Sequence, residues 1–312
     1  MKVLVTCPPM LGMIDSFSLI FEKYGVKVTT PDVVQTMSVE ELKGIVPLHD
    51  GWIIGDDPAT REVFTAGKSG LLKAAVKWGI GVDNVDFAAC KDLDIPIINT
   101  PNMFGCEVAD IAVGYIIALA RETFQIDDGV RQGHWPKPRG ISLRGKTVAL
   151  VGYGDIGKST AMRLLAAGMN IIAYDPVALD IPELTTVQRA EWPSRVEEAD
   201  FIVVTCSLTP GSWHMINADV LAKAKDKVRI VNVGRGPVID QSALESALKS
   251  GKVYSAALDV FEIEPLPMDS CLREQPRCIF GSHNASNTAD AVVRTSQIAI
   301  TKLMEFLGVK ER

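Results

Sequence analysis

The stretch Val151-Gly152-Tyr153-Gly154-Asp155-Ile156-Gly157 decides the reading of this chain. It is a G-x-G-x-x-G, weak in isolation, but its surroundings are those that a dinucleotide-binding turn requires. A strand-like run, Thr147 to Val151, precedes it, and good helix formers follow from Lys158 to Ala167. Gly168 then stands where a C-terminal cap belongs, and a second strand, Asn170 to Tyr174, ends at Asp175, 18 residues after Gly157. Each glycine has its own reason. Gly152 permits the tight turn, Gly154 lets backbone approach a pyrophosphate, and Gly157 lets the helix lie close to the strand. The diphosphate would rest on the free N–H groups of the helix N-terminus. A carboxylate at Asp175 accepts hydrogen bonds from ribose hydroxyls and repels a 2'-phosphate, so the expected cofactor is NAD in preference to NADP. The competing reading, an ordinary turn followed by a surface aspartate, leaves the surrounding pattern unexplained.

Outward from the motif, short β-branched runs alternate with helical stretches, and the series occurs twice. The first gives strands at Lys2 to Thr6, Val26 to Thr29, Gly51 to Ile54, Lys73 to Val76 and Ile95 to Asn99, with helices such as Ile14 to Tyr24 and Val39 to Ile45. The second adds, beyond the motif strands, Phe201 to Cys206, Arg229 to Val233, Tyr254 to Val260 and Cys278 to Phe280, then a final helix from Thr288 to Leu307. A long apolar helical segment, Glu107 to Ile126, reads as buried all round. The stretch from His134 to Gly140, with its prolines, is a connector. A length of 312 residues allows about two domains, and a midpoint cut would split the glycine motif. The expected architecture is α/β: a Rossmann NAD-binding domain, 104–283, inserted into a smaller flavodoxin-like α/β substrate domain made of 1–103 and 284–312. On this reading those two domains account for the 312 residues, and no regulatory module is expected.

Composition narrows the function. With 38 acidic against 32 basic residues the net charge is -6, so no global positive field favours nucleic acid. The longest apolar run, Ile111 to Ala120, is ten residues, half of what a membrane span needs. The N-terminus carries one lysine and is interrupted by Pro8 and Pro9, unlike a secretory signal, so a cytoplasmic location is expected. The six cysteines are scattered without a Cys-x-x-Cys, and the histidines do not cluster; reduced packing thiols and no metal site are expected.

Three polar residues follow the C-terminal ends of late strands: Arg235, Glu264 and His283. Ligands of open α/β sheets bind along that edge. A histidine can move a hydroxyl proton, a carboxylate can orient it, and an arginine can grip a carboxylate and polarise a carbonyl, which together suit interconversion of an alcohol and a ketone. Glu262 competes with Glu264 for the carboxylate role. His49, His134 and His214 have no comparable partners in sequence.

These residues lie in longer motifs. Val231-Asn232-Val233-Gly234-Arg235-Gly236, the run from Ala257 to Leu266, Gly281-Ser282-His283, the run from Gly79 to Asp86, Asn99-Thr100-Pro101 and Val108-Ala109-Asp110 accompany the glycine motif and Asp175. Together they closely resemble the D-isomer-specific 2-hydroxyacid dehydrogenase family, in its phosphoglycerate dehydrogenase-like branch, in a short form expected to lack an appended regulatory domain. The resemblance implies that His283 is the general acid/base, Glu264 its paired carboxylate, chosen over Glu262 because it directly precedes Pro265, and Arg235 the substrate-orienting cation. Backbone N–H groups of Ile80 and Gly81 would hold the substrate carboxylate, with Lys77 a further cation for a second anionic group such as a phosphate. Cofactor contacts would come from Gly152, Gly154, Asp155, Ile156, Gly157, Asp175, Pro176, Ser207, Leu208, Thr209, Val233, Arg235, Asp259 and His283. Hydride would pass between substrate C2 and nicotinamide C4, in a cleft that closes over both ligands. Substrates in play are 3-phosphoglycerate, glycerate or hydroxypyruvate, and glyoxylate; the alternative from another class is an NADH-binding, corepressor-like regulatory protein. The Glu107 to Ile126 segment with Trp135 resembles a dimerisation arm, so a homodimer is expected where pattern alone leaves an internal core helix equally open. Asn102, Asp110 and Asn284 depart from the family pattern around the expected cleft.

Overall fold

The computed structural model describes residues 1–177 and 186–311. It divides into two compact units, Met1–Met103 with Asn287–Arg312, and Phe104–Ser286. The chain therefore returns to the first unit at Asn287, three residues later than the sequence suggests. Local bonding explains the shift: the amides of Asn284 and Ala285 donate to the Asp259 carboxylate at 3.2 and 2.9 Å, tying both residues to the second unit.

The first unit carries five parallel strands, β1 (Lys2–Val5), β2 (Lys27–Thr29), β3 (Gly51–Ile54), β4 (Ala74–Lys77) and β5 (Ile97–Asn99), in the order β2-β1-β3-β4-β5. This is the flavodoxin-like order. β3 and β4 are buried along their whole length, as expected of a parallel sheet covered on both faces. Leu4, Trp52, Phe64 and Leu42 form the core on one side. On the other lies the final helix, Ala289–Leu307. Gly51 lacks a Cβ where one would stand 3.0 Å from Leu303, and the Trp78 indole donates to Ser296 at 3.1 Å.

Among its described residues the second unit has seven parallel strands: β6 (Thr147–Val151), β7 (Asn170–Tyr174), β8 (Gln188–Arg189), β9 (Phe201–Val204), β10 (Val228–Asn232), β11 (Val253–Leu258) and β12 (Cys278–Phe280). Their order, β12-β11-β10-β9-β6-β7-β8, is that of a doubly wound dinucleotide-binding sheet, with the reversal between β6 and β9. β8 escapes detection in sequence because two exposed polar residues carry no periodicity. The segment Glu107 to Ile126 is not one helix. Helix Gly105–Arg121 ends where Glu122 takes a left-handed conformation, φ 54°, and a second helix, Thr123–Arg131, begins. Nor is it buried all round, since Ile111 and Ile117 are 37% and 43% exposed.

Candidate active site

The glycine motif turns directly from β6 into helix Asp155–Ala166, three residues earlier than sequence periodicity suggests, with Gly154 as the N-cap. No side chain caps this end, so the amides of Asp155, Ile156 and Gly157 lack an intrahelical acceptor. The three glycines differ in what surrounds them. A Cβ on Gly152 (φ 96°) would lie 2.6 Å from the Cys206 amide nitrogen, and one on Gly157 would lie 2.2 Å from the Gly152 carbonyl oxygen. On Gly154 it would meet nothing within 4 Å. Two glycines are thus required by packing, while the third leaves open space in front of free amides, which fits a diphosphate.

At the end of β7 the Asp175 carboxylate accepts the Tyr153 amide at 2.7 Å and the Val177 amide at 2.9 Å. Two backbone donors hold the carboxylate where the adenosine ribose would lie. Accordingly, NADPH is expected to support turnover at least 10²-fold less efficiently than NADH, an electrostatic penalty of about 3 kcal/mol; equal kcat/KM for the two cofactors would contradict this. Pro176 follows on the exposed surface. On the far side of the switch point, the turn carrying Ser207, Leu208 and Thr209 is pinned by Ser212, whose hydroxyl accepts the Thr209 amide and donates to the Ser207 carbonyl, both at 2.8 Å.

Beyond β10, the buried Asn232 organises the loop. Its side chain accepts the Gly234 amide and donates to the Arg235 carbonyl, each at 3.0 Å, and Val233 is bonded back to Val204 at 3.1 Å. Arg235 donates from Nη1 to the Gly234 carbonyl at 2.9 Å. Gly236 abuts the loop after β11 so closely that a Cβ would lie 1.9 Å from the Phe261 carbonyl carbon. That second loop holds Glu264, whose carboxylate accepts the Phe261 amide at 2.9 Å and reaches His283 Nδ1 at 2.7 Å. Glu262 faces elsewhere, 2.7 Å from His214 Nε2 and accepting the Gln241 amide at 3.1 Å. The two carboxylates are thereby distinguished: each has its own histidine. With Asp240, Glu262 and His214 place ligand-type atoms within 4.8 Å of one another, but Asp240 already caps helix Gln241–Ser250.

His283 sits at φ 55°, a strained conformation held by its amide, which donates to the Asp259 carbonyl at 2.7 Å. The Asp259 side chain is 2% exposed; burial pushes its carboxyl up, against the lowering by the Ala285 and Asn284 amides and His283. Gly281 passes so near that a Cβ would fall 2.7 Å from the Tyr115 hydroxyl. Burial raises that phenol to about 12, so it stays protonated. Asn232 stands in a motif quoted above without a role of its own, whereas Tyr115 is not legible in sequence, since only the fold brings it near Gly281 and Asp259, more than 140 residues away.

In the first unit, the loop after β4 turns at Gly79, φ 117°, whose amide donates to Thr100 Oγ1 at 2.8 Å. Asn99 Nδ2 donates to the Ile80 carbonyl at 3.0 Å. The Ile80 and Gly81 amides have no acceptor among the described residues, as an anion-binding nest requires. Lys77 departs from its expected role. It is 2% exposed, and its ammonium donates to Asp56 Oδ1 and the Trp78 carbonyl, both at 3.0 Å. Its charge is balanced within the protein. Two family departures are explained locally: Asn102 adopts φ 57°, which glycine and asparagine tolerate best, and Asp110 pairs with Arg163 at 2.7 Å on an exposed helix face.

Comparison with known proteins accords with this geometry. Residues 113–285 match the model of the D-isomer specific 2-hydroxyacid dehydrogenase NAD-binding domain. The chain is 36% identical over 303 residues to a hydroxypyruvate reductase of Thermotoga maritima, covering 95% of each. It is 36% identical over 252 residues to a D-3-phosphoglycerate dehydrogenase of Methanocaldococcus jannaschii, but spans only 48% of that protein. The apo-structure of D-lactate dehydrogenase from Escherichia coli superposes with a TM-score of 0.83 at 27% identity, covering 99% of this chain and 97% of that one. These relatives lend no support to a corepressor-like role. No helix among the described residues is long and apolar enough to cross a membrane. The glycine turn at the switch point, the His283–Glu264 pair and these matches together place the chain in the D-isomer specific 2-hydroxyacid dehydrogenase family, as an NAD-dependent oxidoreductase of CH–OH groups.

Proposed function

We propose that the chain interconverts a short, unphosphorylated 2-keto acid and its D-2-hydroxy acid, with hydroxypyruvate and glyoxylate as the preferred keto acids. The 2.7 Å contact between His283 Nδ1 and Glu264 carries the reaction class. With Nδ1 taken by the carboxylate, Nε2 is the atom that gives a proton to the ketone oxygen or takes one from the hydroxyl. Glu264 offsets the positive charge on the imidazole when it holds both protons. Arg235 orients the substrate, and in the first unit, taken by itself, the amides of Ile80 and Gly81 form a nest suited to a carboxylate. Bound NAD supplies the hydride acceptor and, when reduced, the donor; the residues assigned above would hold its diphosphate, ribose and carboxamide.

The pairing of the buried Lys77 with the half-exposed Asp56 supports the choice of an unphosphorylated substrate, because a neutralised, enclosed ammonium is poorly placed to balance a phosphate. The test is the loss of NADH absorbance with glyoxylate, hydroxypyruvate, pyruvate and 3-phosphohydroxypyruvate. Hydroxypyruvate or glyoxylate should give the highest kcat/KM, and a preference for 3-phosphohydroxypyruvate would reject the assignment. Lys77→Met should alter phosphorylated and unphosphorylated substrates by the same factor while lowering thermal stability.

The chain is further proposed to form a cytoplasmic homodimer. Ile111, Ile117, Phe124, Val130 and Trp135 are exposed along and just beyond the two helices Gly105–Arg121 and Thr123–Arg131, an apolar set that a second copy would cover. Light scattering at micromolar concentration should give about twice the chain mass of 33.8 kDa.

A further inference from the structure

The second unit has another concave site, on the sheet edge opposite the glycine motif and His283. A cavity of about 380 Å³ opens at the N-terminal ends of β6, β9, β10 and β11. A strand's length, roughly 15 Å, separates it from the proposed catalytic edge. Five cations line it, Arg139, Lys146, Lys225, Lys227 and Arg229, against only two carboxylates, Asp200 and Asp226.

Internal pairing does not consume this excess. Asp200 takes Lys225 at 2.8 Å and Lys146 at 3.8 Å, and also accepts the Thr147 amide. Asp226 is taken by Lys252 at 2.7 Å. The exposed side chains of Arg139 and Lys227 make no hydrogen bond or ion pair with any described residue, Lys227 acting on Asp226 only at longer range.

Arg229 is the more telling group. It is 8% exposed, yet forms no ion pair. Its Nε donates to the Leu119 carbonyl at 3.3 Å, and its guanidinium carbon lies 4.6 Å from the Tyr254 ring centroid. Both Nη groups lack an acceptor among the described residues. The Nη atoms keep access to solvent at the cavity, where an anion can complete their hydrogen bonds. The Tyr254 ring, Ile141 and Val228 add apolar wall, and the volume lies within the range of small-molecule sites.

We infer that this cavity binds a small organic polyanion, a polycarboxylate or a phosphate ester, away from the reacting centre. One acidic group is held bidentately by the Arg229 Nη pair and the remaining charge by Arg139 and Lys227.

The test is calorimetric titration of the NADH-saturated enzyme, so that the cofactor's own diphosphate site is blocked, at ionic strength fixed with sodium chloride. Citrate and inorganic phosphate are the probes; the tighter of the two tells a carboxylate site from a phosphate site. Saturable binding of at least one probe is expected. It should weaken tenfold or more in the double variant Arg139→Ala/Lys227→Ala, whose exposed side chains do not support the core, with NADH affinity unchanged. Arg229→Met, which keeps the buried stem, should weaken it at least as much. Absence of saturable binding to the wild-type enzyme, or equal affinity in the wild type and the double variant, overturns the proposal.

Discussion

Replacing His283 by alanine will lower turnover by 10² to 10⁴ while leaving NADH affinity within about twofold. The expectation rests on the 2.7 Å contact of Nδ1 with Glu264, which leaves Nε2 as the proton-carrying atom. Losing it costs about 3–5 kcal/mol of transition-state stabilisation. The cradle around Gly154 is formed by other residues, so cofactor binding should survive. Stopped-flow reduction and fluorescence titration of NADH check the two halves, and unaltered turnover would reject the assignment of His283. Glu264→Gln separates positioning from chemistry. It keeps the shape but removes the anion that balances the imidazolium, so reduction should become slower and fall off at lower pH than in the wild type.

The second large effect is structural in origin. In Gly236→Ala the new methyl would lie 1.9 Å from the Phe261 carbonyl carbon and oxygen, and both are backbone atoms with no side-chain freedom to yield. The loops after β10 and β11 must then part by about 1.5 Å to reach ordinary contact, which separates Arg235 from the segment carrying Glu264. A displacement of that size costs about 10² in rate where reacting groups must align. Overpacking should also remove about 3 kcal/mol of stability, or roughly 6–12 °C in Tm for the second unit. A variant with wild-type Tm and turnover would show that the two loops do not need this close approach.

The residue pattern alone makes the two α/β series, the glycine turn and the acidic residue closing β7 legible, because each rests on local patterns within about thirty residues. It also placed Arg235, Glu264 and His283 after strand ends, since parallel strands put every such position on one edge. Where it went astray, a local pattern stood in for packing. The segment from Glu107 to Ile126 has continuous apolar character, but its break depends on Glu122 entering a left-handed conformation while its carboxylate accepts a hydrogen bond from Tyr254, 132 residues away. Lys77 reads as a cation at a strand end, but Asp56, 21 residues earlier on the loop after the neighbouring strand, pairs with it. Glu264, which the resemblance favours over Glu262, meets His283 through a loop trajectory that residue pattern alone leaves open, with its carboxylate on the Phe261 amide and Glu262 beside His214. The cationic cavity is the extreme case. Its charges come from four separate stretches whose individual residues read as solvated surface, and only the close packing of four strand ends turns them into a concave field that includes the guanidinium of the largely buried Arg229.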